Sequence, residues 1–151
     1  MQTSTDYTNR KVDLSIFPGI QFANLLADDA LGPNSRSIAG PSKVAQNFLR
    51  LLMTPLGSYP SDLLLGSNFM LRLRNGSIKL PIDLQQAFSA EALRVTEWMS
   101  SHYGSAPDDE KIASVSLENF TINRGMIQLT INLTTQADSN ATFLLPVVWN
   151  N

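Results

Sequence analysis

The stretch from Gly40 to Asn68 constrains the fold of this chain more than any other. Pro41 suits the first turn of a helix, where its missing N–H would have no partner. Four apolar residues then recur at the spacing of one helical face, which must be buried: Val44, Phe48, Leu51 and Leu52. The polar residues of this segment are expected mostly on the other side of the helix: Ser42, Lys43, Gln46, Asn47 and Arg50.

Beyond this helix, the chain contains residues that oppose a further turn, namely Pro55, Gly57 and Pro60. The leucines at positions 63–65 precede the turn residues that begin at Gly66, and we expect them to form a short apolar plug. The sequence therefore predicts one amphipathic helix that runs into a compact loop.

The length of 151 residues is that of one domain. Residues 1–10 are polar and show no repeating apolar face, so we expect a flexible N-terminal tail followed by a single domain over residues 11–151. Only 16% of the residues are charged, which is below the average of about a quarter for soluble domains. Partners are therefore expected to cover part of the surface.

Composition also argues against several classes of function. A net charge of −2 without a long basic run gives no electrostatic support for nucleic-acid binding. The absence of cysteine excludes disulfides, thiolate catalysis and cysteine-ligated zinc. No apolar run approaches the ~18 residues that span a membrane, and the N-terminus lacks the apolar core of a secretory signal. We interpret the chain as cytosolic or as part of a particle assembled in the cytosol.

The segments on either side of the organising helix are shorter. Val12, Leu14 and Ile16 alternate as in a half-buried strand, residues 20–26 could form a second short element, and residues 28–40 are predicted to be loop. Residues 69–80 predict either a hairpin around Asn75 and Gly76 or a loop that ends at Pro81. The small basic cluster in this segment is interpreted as a solvated face or, alternatively, as a contact for an acidic patch of a neighbouring subunit: Arg72, Arg74 and Lys79.

A second amphipathic helix is predicted from Leu84 to about His102, with Asp83 as its N-cap. Its apolar stripe consists of Leu84, Phe88, Ala92, Val95 and Met99. His102 is expected to be exposed at the helix C-terminus, where a positive charge is favoured. The acidic cluster Asp108, Asp109 and Glu110 is expected to be a solvated linker and not a metal site.

The C-terminal third is rich in strands. Val115, Leu117, Phe120 and Ile122 alternate with a shift of phase that predicts a bulge near Glu118, and residues 123–125 predict a tight hairpin. A clean alternation follows at Ile127, Leu129, Ile131 and Leu133. The last strand, residues 143–148, contains Pro146 and is therefore expected at an edge. The predicted fold class is α+β, with two main amphipathic helices packed on a small, mostly antiparallel sheet formed largely by the C-terminal third.

The middle of the chain resembles the baseplate wedge or sheath-initiator proteins of contractile tails, a family shared by tailed phages and type VI secretion machines. The residues that carry the resemblance are Leu51, Leu52, Thr54, Pro55, Gly57, Gly66 and Ser67. It implies a structural protein of the virion, in the tail baseplate, that presents β-strands to the first sheath ring. Other baseplate wedge and hub proteins and the sheath subunit would be its partners, in multiple copies of a symmetric assembly, with no enzymatic activity and no cofactor.

The resemblance also indicates where contacts would lie. Residues 126–134 and 142–149 would pair through their main chains, and the family's Glu-Pro-Arg junction is represented only by Glu110 and Lys111. Lysine cannot supply the planar two-pronged geometry of arginine. The resulting candidate interface residues are Arg72, Arg74, Glu110, Lys111, Ile127, Leu129, Ile131, Leu133, Phe143, Leu145, Val147 and Trp149.

Other classes of function remain open at this point. The chain could be another tail or neck subunit, or a small cytosolic regulator of the same fold that binds a protein partner. Catalysis by a carboxylate pair would draw on Asp62, Asp108, Asp109 and Glu110, but no spacing singles out a pair among them.

Overall fold

A computed structural model describes residues 13–14 and 37–148, with side chains from Ile38 onward. Two short strands, β1 (Asp13–Leu14) and β2 (Ser37–Ile38), pair antiparallel. The helices are α1 (Gly40–Met53), α2 (Phe69–Arg74) and α3 (Pro81–His102), and a 3₁₀ turn covers Asp108–Glu110. Three further strands form a second antiparallel sheet in the order β3-β4-β5: β3 (Ile112–Asn123), β4 (Met126–Thr135) and β5 (Asn140–Val148). This is the α+β architecture that the sequence predicts.

Two sequence-based expectations lie wholly outside the described residues, namely the N-terminal tail over residues 1–10 and the short element at residues 20–26. Ser37 and Ile38 were expected in a loop, yet both pair with β1. The segment that carries them is too short and too polar to show a strand period.

Helix α1 is more deeply buried than its periodicity indicates. The predicted stripe is buried, but so are three polar residues that were expected on the exposed side: Ser42, Gln46 and Asn47. The reason is that α1 has neighbours on several sides, because it contacts α2, α3, the 3₁₀ turn and β5. These three polar residues are therefore buried by neighbouring elements, whereas Arg50 near the end of the helix is exposed.

The loop after α1 is closed by backbone hydrogen bonds. Ser67 donates its N–H to the Thr54 carbonyl at 2.8 Å and accepts the Leu56 N–H at 3.0 Å, and its hydroxyl donates to the Leu52 carbonyl at 2.5 Å. Gly66 has a φ of +103°, and a Cβ there would lie 2.5 Å from the Thr54 carbonyl oxygen. Only glycine fits at this position. Leu63 and Leu64 are exposed and only Leu65 packs against the core, so the predicted three-leucine plug is wrong for two of its residues. The loop is closed mainly by the hydrogen bonds of Ser67.

The predicted hairpin at residues 69–80 is also wrong. Phe69 and Leu73 are buried while Leu71 between them is exposed, which is the four-residue spacing of helix α2. Asn75 and Gly76 form the turn that ends this helix, with Gly76 at a φ of +70°. Phe69 and Leu73 are four positions apart, and residues at that spacing share a face in a strand as well as in a helix. The apolar pattern of this short segment therefore fits either element.

Helix α3 begins three residues earlier than expected, at Pro81, and its N-cap is Leu80 instead of Asp83. The Asp83 carboxylate accepts the N–H groups of Lys79 and Leu80 at 3.1 Å and 2.8 Å, so it caps the helix from inside the first turn. The predicted apolar stripe is confirmed, because all its members are buried: Leu84, Phe88, Ala92, Val95 and Met99.

The sheet supplies the other layer of the core. A register shift between Leu117 and Asn119 confirms the predicted bulge in β3, and the hairpin that follows has Arg124 and Gly125 at φ values of 43° and 82°. One face of β4 and β5 is buried with the helices: Ile127, Leu129, Ile131, Leu133, Ala141, Phe143, Leu145 and Val147. We call the opposite face of the sheet, which is turned away from the helices, its outer face.

Candidate functional site

Strand β4 is the centre of the main sheet. It pairs with β3 on one side and with β5 on the other over nearly its whole length. The expectation that residues 126–134 pair with a foreign strand is therefore corrected, because their backbone groups are already used within the chain. The side chains proposed there also lie in the core: Ile127, Leu129, Ile131 and Leu133.

Strand β5 lies at an edge, as Pro146 predicts. Its register with β4 runs without a shift from Met126↔Val148 to Thr134↔Asn140. Within the described ranges, 13–14 and 37–148, no strand pairs with its other side. The side chains of Phe143, Leu145 and Val147 point into the core, so only the backbone of this strand can receive another chain. Trp149 lies outside the described residues.

The direction of the β5 backbone groups follows from one hydrogen bond at the turn. Thr135 donates its N–H to the Ser139 carbonyl at 2.9 Å. Opposed residues in an antiparallel pair alternate between hydrogen-bonded and non-hydrogen-bonded pairs. Counted along the register from that bond, the odd-numbered residues of β5 bond to β4. The even-numbered residues direct their backbone groups toward the open edge: Thr142, Leu144, Pro146 and Val148.

The opposite edge, β3, has features that oppose strand pairing. Its register with β4 shifts twice, between Ile112 and Ser114 and again between Leu117 and Asn119. Glu118 sits in the second shift and accepts a hydrogen bond from the Asn132 amide at 3.0 Å. Bulges and charges are the usual protection of sheet edges. Strand β5 has no such shift, so the two edges differ in kind.

The outer face of β4 and β5 is uncharged, and one corner of it is apolar. Strands β4 (10 residues) and β5 (9 residues) contain no Asp, Glu, Lys or Arg. Met126, Leu144 and Val148 are 48%, 42% and 69% exposed, and Met126 lies directly opposite Val148 in the register. We call Met126, Leu144, Pro146 and Val148 the outer apolar corner. It borders the open edge of β5, and such apolar surface is typical of contact sites.

Glu110 is a buried structural residue and not part of a solvated linker. Its Oε1 accepts the Gly40 N–H at 3.1 Å, and its Oε2 lies 2.8 Å from Lys43 Nζ. A carboxylate at the N-terminus of α1 is also favoured by the helix dipole. Lys111 lies 3.2 Å from Asp108 instead. The contact that was expected between Glu110 and a neighbouring subunit is thus replaced by a contact inside the chain. Sequence patterns do not reveal this contact, because Glu110 and Lys43 are 67 positions apart.

Arg72 of helix α2 also has an internal contact. Arg72 Nε lies 3.4 Å from Glu91 Oε1, and the Arg94 guanidinium lies 3.7 Å from the other oxygen of the same carboxylate. Glu91 is buried and accepts the Asn68 N–H at 3.0 Å. Sequence reasoning missed Glu91, although its position three residues after Phe88 places it on the buried face of α3. Arg74 is exposed.

Asp62 ties the loop to the end of α3. Its Oδ2 accepts the indole N–H of Trp98 at 2.8 Å and lies 3.7 Å from His102 Nε2. The Trp98 hydrogen bond lowers the pKa of Asp62, and the Leu64 N–H and the nearby His102 act in the same direction against desolvation. The His102 ring stacks on Trp98 at 3.9 Å, which agrees with its predicted place at the helix C-terminus.

Metal and membrane sites receive no support from the described part of the chain. It contains no group of three or more His, Cys, Asp or Glu residues that could hold a metal ion. None of its helices combines the length and the apolar character of a membrane span.

Comparison of the chain with family models, with curated proteins and with solved structures gives no match. The β5 edge and the outer apolar corner are therefore the features from which a function can be inferred.

Proposed function

We propose that this protein is a non-catalytic structural component of a phage or phage-like tail, whose β5 edge receives a strand from a neighbouring subunit. The observation that carries the proposal is the contrast between the two sheet edges. Strand β3 has two register shifts and a charge, while β5 has an unbroken register, no charge and the outer apolar corner beside it. An edge that is blocked only at one proline is a hazard in a free protein and a binding site in an assembly.

The finer proposal is the baseplate wedge or sheath-initiator role, with sheath and other baseplate proteins as partners. It is supported by the resemblance in residues 51–67, where Thr54, Gly66 and Ser67 build the closed loop after α1. The order of a helix, this loop, a long helix and three strands agrees with the same family. Because Glu110 is used internally, the proposal places the strand contact at β5 and assigns no contact to the junction before β3.

A charge on the outer face tests the proposal without disturbing the core. Leu144→Lys places an ammonium group beside the open edge, where no acidic residue of β4 or β5 can pair with it. The matched control is Thr121→Lys, on the same face of the β3 edge. Tagged variants would be expressed in the source, and their content in purified tails measured by mass spectrometry. We expect Leu144→Lys to be depleted from particles at least tenfold while the control is retained.

Two results would overturn the proposal. The strand contact is wrong if Leu144→Lys enters particles as well as Thr121→Lys does, with both proteins folded by circular dichroism. The tail assignment is wrong if the unmodified protein is absent from purified tails while a soluble monomer accumulates. In that case a cytosolic regulator of the same fold becomes the better reading.

A further inference from the structure

The open edge of β5 is not uniform along its length. The even-numbered residues direct their backbone groups outward, and Pro146 is one of them. Proline has no N–H to donate. The edge therefore offers donors at Thr142 and Leu144, then a position that only accepts, then a donor at Val148.

We propose that Pro146 limits the β5 edge to a short strand of another protein, paired over Asn140–Leu144, and opposes the pairing of two copies of this chain in full overlap of their β5 edges. This inference rests on the proposed function, since it specifies the strand that the same edge receives. Proline on an otherwise unprotected edge is a known way to prevent extended pairing.

Self-pairing in full overlap is opposed for a geometric reason. Two antiparallel β5 strands in full overlap would place Pro146 of each copy opposite Thr142 of the other. Each of these pairs would lose one hydrogen bond and leave the Thr142 carbonyl without a donor in the new sheet. An incoming strand of another protein can end before Pro146 and avoid this loss, because nothing fixes its length to that of β5.

The chemistry of the edge also restricts the incoming strand. Since β4 and β5 carry no charge, a charged side chain on the outer face of the added strand would find no partner there. Its neighbour in the corner would be Leu144, which is 42% exposed. The other outer-face residues of β5 over this stretch are the polar Asn140 and Thr142, so the strand that fits is short and uncharged and places an apolar residue beside Leu144.

The test restores the missing donor. Pro146→Thr supplies an N–H at the open edge and a residue of high β propensity. Its control is Pro60→Thr, which makes the same chemical change at an exposed proline in the loop after α1. Sedimentation velocity of the purified full chains, without any partner, reports self-association. We expect Pro146→Thr to dimerise at a concentration at least tenfold lower than the unmodified protein and the Pro60→Thr control.

A second substitution distinguishes pairing at the β5 edge from non-specific self-association. Adding Leu144→Pro to Pro146→Thr removes the neighbouring outward donor, and we expect this double variant to return to the unmodified behaviour. The inference is wrong if Pro146→Thr sediments as the unmodified protein does at every concentration, or if the double variant stays associated.

Amide hydrogen exchange of the unmodified protein keeps the inference testable if a variant fails to fold. The N–H groups of Thr142 and Leu144 should exchange at least a hundredfold faster than those of Phe143 and Leu145, which bond to β4. Equal protection of both sets would refute the open edge. The particle experiment with Leu144→Lys is independent: if that variant is excluded from tails while Pro146→Thr stays monomeric, only the role of Pro146 fails.

Discussion

Substitution of Glu110 distinguishes a structural residue from an interface residue. Glu110 is 8% exposed, whereas Asp108 on the same 3₁₀ turn is 69% exposed, and each carboxylate faces one lysine. Glu110→Ala removes two hydrogen bonds to the carboxylate, from the Gly40 N–H and from Lys43. It also leaves the Lys43 ammonium group, whose side chain is only 18% exposed, without this carboxylate.

The expected loss of stability follows from these contacts. Hydrogen bonds that involve a charged group contribute about 1.5–3 kcal/mol each, and breaking a buried ion pair costs about 3–5 kcal/mol. Lys43 retains some solvent, so we expect Glu110→Ala to lower the free energy of unfolding by about 3 kcal/mol, a fall in Tm of roughly 6–12 °C for a domain of this size. Asp108→Ala breaks only an exposed pair and should cost less than about 1 kcal/mol.

Guanidinium unfolding of the two variants, followed by tryptophan fluorescence, measures this difference. A double-mutant cycle with Lys43→Ala isolates the contribution of the ion pair. If Glu110→Ala unfolds within about 0.5 kcal/mol of Asp108→Ala, the internal contact carries no free energy and our reading of Glu110 is wrong. If Glu110→Ala keeps full stability but is absent from purified tails, Glu110 is an interface residue, as the sequence predicted.

Two further predictions concern the loop after α1. Gly66→Ala should cost at least about 2–3 kcal/mol, since its Cβ would meet the Thr54 and Pro55 carbonyls at 2.5 Å and 2.8 Å and add the strain of a positive φ. Gly76→Ala has a φ of +70° but nothing within 4 Å, so it should cost only about 1–2 kcal/mol; equal losses in denaturant unfolding would contradict the steric argument. Because the folded-state pKa of Asp62 is lowered from 3.8, its stabilising effect is complete above that value and is lost as the pH falls through the lowered pKa. Asp62→Asn should therefore reduce the difference in Tm between pH 7 and acid, and an unchanged difference would refute this.

Periodicity predicted the long elements because each of them divides an apolar from a polar side. Helix α3 and strand β4 repeat their pattern often enough to fix both the type of element and the buried face. Helix α2 has six residues, and the alternation of Phe69, Leu71 and Leu73 satisfies a strand as well as one face of a helix. Only burial against α3 decides between the two, and that contact is tertiary.

The contacts of the candidate site were harder to foresee. Lys43 and Glu110 are 67 positions apart, and Asn68 and Glu91 are 23 apart, so no local pattern pairs them. The alternation in β4 shows which face is buried but not whether the strand is central, because a central antiparallel strand and an edge strand share the same pattern. Pro146 was the one residue whose backbone chemistry indicated an edge position.

The two layers of this domain have separable roles. Glu110 joins the 3₁₀ turn to the start of α1, and Glu91 of α3 contacts the start and the side of α2. The inner face of the sheet is already filled by core side chains. A strand added at β5 would extend the sheet without repacking that core, so binding requires no opening of the fold. Substitutions at the open edge should therefore remove assembly and leave the free energy of unfolding unchanged, whereas substitutions of the buried carboxylates should do the reverse. If substitutions at the open edge lower both assembly into particles and the free energy of unfolding, strand addition and folding are coupled.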